Sequence, residues 1–310
     1  MTSPIFWKAL LRRLGWGLVT LWGVSIITFI LLFMLPGDPA ELMAGNNADK
    51  ETLKNIRHAR GLDRPLPVQY GLFVRDALTN NLISYANNDK VMEAIARRFP
   101  PTLALAAAGL TVWMLVAIPL GLMTAKRPGT FFDRASLFLG IIALSIPTFF
   151  LGRVLQRYLG YNWGLFSVGG DATWWNLPLP ALTLGLGGAA YYARLLHANL
   201  RGVMNQDYIR AARARGLSEP AVLGRHALKN ALIPVITILG MDVASLLSGL
   251  IFTERIFAWP GIGSLAIESV FNHDIPMIMG TVLFASLMVV VMNILVDIAY
   301  HLIDPRVRVE

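Results

Sequence analysis

Cysteine and charge are both scarce in this sequence. The chain of 310 residues contains no cysteine, which excludes disulfide bonds, thiolate metal sites and cysteine nucleophiles. Only 15% of its residues are charged, against roughly 25% in ordinary soluble domains. Hydrophobic residues make up 55% of the chain. This composition indicates a protein whose surface is largely in contact with lipid.

Recognisable catalytic patterns are missing as well. The sequence has no Gly-x-x-x-x-Gly-Lys-Ser/Thr stretch of the kind that binds the phosphates of ATP. It has no His and Glu residues at zinc-ligand spacing and no serine placed beside a base. We therefore predict that the chain is not an enzyme and binds no metal or cofactor itself. The net charge of +8 sits on the flanks of apolar runs, as in membrane proteins, so we predict no nucleic-acid partner.

Apolar runs dominate the chain. A helix needs about 20 apolar residues to cross the hydrocarbon core of a bilayer. The candidate segments are residues 14–35, 102–125, 135–152, 174–193, 231–253 and 275–303. The first is longer than the apolar part of a signal peptide, and no small-x-small cleavage site follows it, so we predict that it is a membrane span. The sequence thus predicts an all-α integral membrane protein with about six transmembrane helices.

The basic residues of the short loops predict the orientation. Lys126 and Arg127 follow the second span, and a basic stretch begins at Arg194 after the fourth. Because short loops rich in Lys and Arg stay in the cytoplasm, both segments and both termini are predicted to be cytoplasmic. Residues 37–101 would then lie outside.

The outer segment 37–101 is long for a loop and should contain helices. Asp49 can cap an amphipathic helix that begins at Lys50 and ends at Gly61. Residues 68–78 predict a second helix, and the asparagines of segment 80–89 predict a break. These helices either lie on the membrane surface or form a dedicated binding site.

The inner segment 205–230 predicts a helix, a tight turn and a second helix. Asn205 is placed as the N-cap of the first helix, and Ser218 as the cap of the second. Gly216 stands where a helix ends in a residue with positive φ. The strong helix formers of the first helix are Ala211, Ala212 and Ala214. Such small residues would let another protein approach closely.

This inner segment resembles the EAA loop of ABC importer permeases. Residues 208–217, Tyr-Ile-Arg-Ala-Ala-Arg-Ala-Arg-Gly-Leu, are similar to the dipeptide and oligopeptide branch of that family. Segments 35–39 (Leu-Pro-Gly-Asp-Pro) and 259–261 (Trp-Pro-Gly) also match. The resemblance covers nearly the whole chain, while segments 80–89 and 160–171 depart from it.

The resemblance implies one transmembrane domain, 1–310, that forms half of the pathway of a binding-protein-dependent importer in the bacterial inner membrane. It implies di- or oligopeptides as substrates, with nickel chelates, glutathione or another small solute as alternatives. A secondary transporter is the rival outside the family. The implied partners are a second homologous permease, two ATP-binding subunits that hold ATP and Mg, and an extracytoplasmic substrate-binding protein. The residues implied to couple to the ATPase are Arg210, Ala211, Ala212, Ala214, Gly216 and Leu217.

Asp242 is an acidic residue near the middle of the fifth predicted span. Acidic groups are costly inside a membrane and usually have a function there. Asp242 would either line the transport pathway or make a hydrogen bond between helices.

Overall fold

The computed structural model describes residues 4–33, 39–44, 48–126 and 128–303. The predicted end of the first span at residue 35, the start of the outer segment at 37 and the basic residue at 127 lie outside these ranges. Helices are the regular elements of the described residues, and one isolated bridge joins Ile83 and Lys90. The all-α prediction is confirmed.

The helices follow one another closely along the chain. In chain order they are α1 (Pro4–Phe33), α2 (Pro39–Ala44), α3 (Lys50–Ala59), α4 (Leu66–Leu78), α5 (Val91–Lys126), α6 (Phe131–Ser145), α7 (Thr148–Leu155, continued by π-helical turns over Gln156–Asn162), α8 (Pro178–Met204), α9 (Asp207–Ala214), α10 (Glu219–Ala221, continued by π-helical turns over Val222–Ala227), α11 (Leu228–Gly249), α12 (Ile251–Ile256), α13 (Ile262–Phe271) and α14 (Ile275–Ile303).

The chain divides into two compact units. The first is built from the residues up to Thr102 together with Pro260–Ile294, and the second from Leu103–Trp259 and the end of α14. Helices α5 and α14 each contribute to both units.

In the first unit, the two predicted outer helices are present. The Asp49 carboxylate accepts a hydrogen bond from the backbone N–H of Thr52 at 3.1 Å, which caps α3 as predicted. Gly61 ends that turn with a φ of 66°. Helix α4 begins at Leu66, two residues earlier than predicted, because Pro67 falls in the first helical turn, where a missing N–H costs nothing.

Helix α4 is held by aromatic packing. Its buried Phe73 belongs to an apolar cluster with Phe29 of α1 and Met279 of α14. The rings of Phe29 and Tyr70 meet edge to face at 5.3 Å, and the Tyr70 hydroxyl hydrogen-bonds Ser25 at 2.7 Å. This outer helix therefore packs on the transmembrane helices of its own unit.

The segment after α4 is anchored by one buried carboxylate. Asp274 accepts hydrogen bonds from the hydroxyl of Ser84, from the backbone N–H of Tyr85 at 3.0 Å and from that of Met277 at 3.3 Å. Asn80 and Asn88 have φ of 56° and 58°, which confirms the predicted break. Asp274 thus ties this loop to the first turn of α14.

Helix α5 begins much earlier than the predicted span. It starts at Val91 and runs through Pro100 and Pro101, so residues 91–101 are helical and continuous with the second predicted span. Val91 and Ile95 are buried in a cluster with Ile262 of α13. This packing stabilises the extra turns. Most of residues 92–98 are also strong helix formers.

The predicted span 135–152 is not one continuous helix. Two helices, Phe131–Ser145 and Thr148–Asn162, meet at a bend of 101°. Pro147 has no N–H to continue the helical ladder, and the residue before a proline is driven toward extended backbone, as Ile146 is with ψ of 120°.

Four helices are long and apolar enough to cross a membrane, or five if the bent pair counts as one span, among the residues described. They are Leu10–Leu32, Val91–Lys126, Glu219–Gly240 and Ile275–Val296. Helix α8 has 27 residues, but its prolines, glycines and tyrosines make it less apolar than these four. Its start at Pro178 leaves the predicted span residues Trp174 and Trp175 in an exposed loop.

The core of the second unit joins α5, α8 and α11. Tyr192 and Leu196 of α8 are buried with Ala231 and Val235 of α11. The rings of Trp113 and Tyr192 lie 5.2 Å apart. Gly188 is where α8 approaches Trp113 so closely that a Cβ would overlap the indole ring. Close approach through small residues is the usual way in which membrane helices pack.

Candidate coupling site

The predicted helix–turn–helix is present in the second unit, with one correction at its start. Helix α9 runs over Asp207–Ala214, and its N-cap is Gln206. Asn205 was predicted as that cap but instead ends α8 as its C-cap, with φ of −90° and ψ of −2°. A helical φ and ψ at Asn205 exclude the extended backbone that an N-cap residue needs.

Gly216 forms the turn as predicted. Its φ is 79°, and its N–H donates to the carbonyl of Arg213 at 2.9 Å. The N–H of Leu217 reaches back to the carbonyl of Ala212 at 3.4 Å. These bonds satisfy carbonyl groups at the end of α9, and the left-handed residue turns the chain sharply toward the next helix.

One face of α9 packs inward. Ile209 and Ala212 are buried in the same apolar cluster as Val222 and Ala227, which follow the turn. The amide of Asn230 donates to the hydroxyl of Tyr208 at 2.9 Å. The short helix is therefore held against its own unit.

The other face of α9 is exposed and basic. Arg210, Ala211 and Ala214 point away from the cluster, and Leu217 beyond the turn is 40% exposed. Of the six predicted coupling residues, five are thus accessible to a partner. Ala212 is the exception, because it is 6% exposed and can act only by positioning the helix.

An ion pair spans the turn. The guanidinium of Arg213 donates to both carboxylate oxygens of Glu219, at 2.6 and 3.3 Å. The pair links the last turn of α9 to the first residue of α10. The sequence analysis did not identify this pair, although the two residues are close in the chain.

Asp242 makes the interhelical hydrogen bond that was one of its two predicted roles. The hydroxyl of Tyr192 in α8 donates to its carboxylate at 2.6 Å. Asp242 remains partly exposed, and its place in a transport pathway stays a prediction.

His197 joins α8 to the end of α5 and to the first turn of α6. Its Nδ1 lies 3.0 Å from the hydroxyl of Thr124 and 3.7 Å from the buried carboxylate of Asp133. No group of three or more His, Asp or Glu side chains with a geometry for a metal ion occurs in the part of the chain that the structure describes.

Solved structures share this arrangement of helices. Two inward-facing crystal forms of the MetNI methionine ABC transporter superimpose with TM-scores of 0.57 and 0.54 at 18% and 20% identity. The matches cover 69% and 71% of this chain, and 97% and 98% of the other chains. At this level of identity the likeness shows a common fold.

Curated relatives match over almost the full length. The glutathione transport system permease protein GsiC of Pectobacterium atrosepticum is 38% identical over 299 residues, which are 96% of this chain and 98% of the relative. The GsiC protein of Escherichia coli K12 is 36% identical over the same shares.

Two family descriptions cover most of the chain. Residues 117–309 match the binding-protein-dependent transport system inner membrane component, and residues 6–106 match the N-terminal part of such membrane components. The chain therefore belongs to the family of inner membrane components of binding-protein-dependent transport systems, the permease subunits of ABC importers.

Proposed function

We propose that this permease imports glutathione or short peptides of similar size. The observation that carries the proposal is the identity of 36–38%, over 96% of the chain, to permeases named for glutathione transport. Glutathione is itself a tripeptide, so this substrate lies within the peptide class that the sequence resemblance implied. The proposal is therefore narrower than the di- or oligopeptide substrates expected from the sequence.

The exposed face of α9 is the proposed docking site for the ATP-binding subunits. Its support is the combination of an inner face fixed by Ile209 and Ala212 with an outer face that offers Arg210, Ala211 and Leu217. A helix that is anchored on one side can transmit the movement of a partner to the spans behind it. In this proposal two ATP-binding subunits hold ATP and Mg, a second homologous permease completes the pathway, and an extracytoplasmic protein delivers the substrate.

We also propose that both termini and the loop between α5 and α6 face the cytoplasm, because the short loops on that side are basic. The absence of cysteine allows a clean test with Pro128→Cys, at an exposed position of that loop. A membrane-impermeant maleimide should label this cysteine only after the cells are permeabilised. Labelling in intact cells would show that this loop faces outward and would contradict the proposed orientation.

The substrate proposal is tested with the complete importer in proteoliposomes. Labelled glutathione should accumulate only when ATP and the binding protein are both supplied, and excess di- and tripeptides should compete with it. Uptake of a nickel chelate or an oligosaccharide without uptake of glutathione would replace the proposed substrate. Uptake by liposomes that contain this chain alone would favour a secondary transporter.

A further inference from the structure

The outer segment of the first unit encloses a cavity that the proposed function does not yet use. Its volume is about 470 Å³, within the range of roughly 300–1,000 Å³ that is usual for small-ligand sites. The walls come from the end of α3, from α4 and from the loop over residues 81–85, and the first turn of α14 closes one side. We call it the outer cavity.

Arginines dominate the polar lining of the outer cavity. Arg60, Arg64 and Arg75 all line it, and the one carboxylate among the described lining residues is that of Asp76. Arg75 donates to the Asp76 carboxylate at 2.8 Å, so Asp76 compensates the charge of Arg75 only. Two guanidinium groups are left without a carboxylate inside the cavity.

Neither Arg60 nor Arg64 makes a hydrogen bond or a close ion pair with a carboxylate among the residues described. Arg60 donates to the amide oxygen of Asn88 at 3.1 Å and lies 5.7 Å from the ring centre of Tyr85. The Arg64 guanidinium makes no hydrogen bond or ion pair among the residues described here. The neighbouring Asp63 lies outside the lining; its carboxylate is 2.9 Å from Nδ1 of His58, and its charge also interacts with that of Arg64.

The rest of the lining suits a peptide. Phe29, Phe73 and Met279 offer an apolar surface, and the amide of Gln69 adds a polar group. Burial raises the pKa of Tyr85, so its hydroxyl remains a hydrogen-bond donor at physiological pH. The lining surface is more polar than apolar, which suits a charged ligand.

We propose that the outer cavity binds short anionic peptides, and that Arg60 and Arg64 receive their carboxylates. The inference rests on the proposed function, since glutathione carries two carboxylates and one ammonium group and is a net anion. Guanidinium groups bind carboxylates through paired, charge-assisted hydrogen bonds. The excess of arginine over carboxylate in the lining therefore matches the charge of such a substrate.

The test measures equilibrium binding of labelled glutathione to the complete importer in nanodiscs, without the binding protein. Arg64→Gln should raise the dissociation constant about five-fold, as expected for a partly exposed charge-assisted pair. Arg64→Lys should recover part of the affinity. Lys54→Gln is the matched control, because it removes one positive charge from an exposed site of α3 outside the cavity. Its dissociation constant should equal that of the wild type.

Substrate charge gives a second readout. A glutathione amide that lacks the glycine carboxylate should bind the wild type more weakly and should lose less affinity in Arg64→Gln. Equal glutathione binding by Arg64→Gln and Lys54→Gln, or no binding by the wild type, overturns the inference. A wild type that imports glutathione but fails this binding test contradicts the inference alone, whereas a wild type that imports only other solutes contradicts the proposed function.

A different occupant would also overturn the inference. If Arg64→Gln leaves glutathione binding unchanged but raises the amount of binding protein needed for half-maximal ATP hydrolysis, the cavity receives an acidic side chain of that protein. The same titration with Lys54→Gln shows whether the effect is specific to the cavity.

Discussion

Replacing Gly216 by valine is expected to reduce substrate-stimulated ATP hydrolysis and uptake to background, while the importer still assembles in the membrane. The φ of 79° at this position is strained for any residue with a Cβ and worst for a β-branched one. The strain is about 1–2 kcal/mol. No atom lies within 4 Å of the Cβ position, so the effect comes from the backbone and not from a clash. A relaxed turn would shift α9 relative to the ATP-binding subunit.

Gly202→Val is the matched control for this experiment. Gly202 is also exposed with no atom within 4 Å of a Cβ, but it lies in α8 with ordinary helical backbone. Ala211→Arg is a second test, because it leaves the turn intact and adds bulk to the exposed face of α9. Transport at wild-type rates by both Gly216→Val and Ala211→Arg, at normal expression, would show that this segment is only a solvated connection.

Replacing Gly188 by alanine adds only one methyl group but should strongly destabilise the folded chain. That methyl would occupy the position of the Trp113 indole, so α8 and α5 must separate or the ring must leave its site beside Tyr192. Overpacking of this kind costs about 1–3 kcal/mol. We expect a lower midpoint of thermal unfolding for the detergent-solubilised importer, measured as loss of the monodisperse peak in size-exclusion chromatography after heating.

The neighbouring glycine provides the control. A Cβ at Gly187 would find its nearest atom, the hydroxyl oxygen of Thr148, at 3.9 Å, which is an ordinary contact. Gly187→Ala should therefore match or exceed the wild type in stability, since alanine favours a helix by about 1 kcal/mol over glycine. Equal losses in both variants would mean that glycine is needed along α8 for a reason other than contact with Trp113.

The backbone conformation at helix ends could be predicted from the sequence where a single residue determines it. Gly216 at the end of a helix and Asp49 before one were both placed correctly, because a positive φ and a side-chain cap depend on neighbours in the chain. Asn205 shows the limit of this reasoning. It suits an N-cap by residue type, but the preceding helix extends far enough to include it.

Features that depend on packing could not be predicted in the same way. The alanines of α9 are alike in the sequence, and only the fold shows that Ala212 faces inward while Ala211 faces out. Asp242 is an acid within a predicted span, and its partner Tyr192 lies fifty residues away in the chain. The first turns of α5 likewise pack against α13, which follows α5 by more than a hundred residues.

The buried Asp274 ties a loop of the first unit to the first turn of α14. One carboxylate holds both the backbone of Tyr85 and the first turn of α14, so the loop and the helix share a fixed point. Tyr85 and Ile275 also line the same cavity. A displacement of the loop would therefore move the first turn of α14 with it, because the same carboxylate binds both.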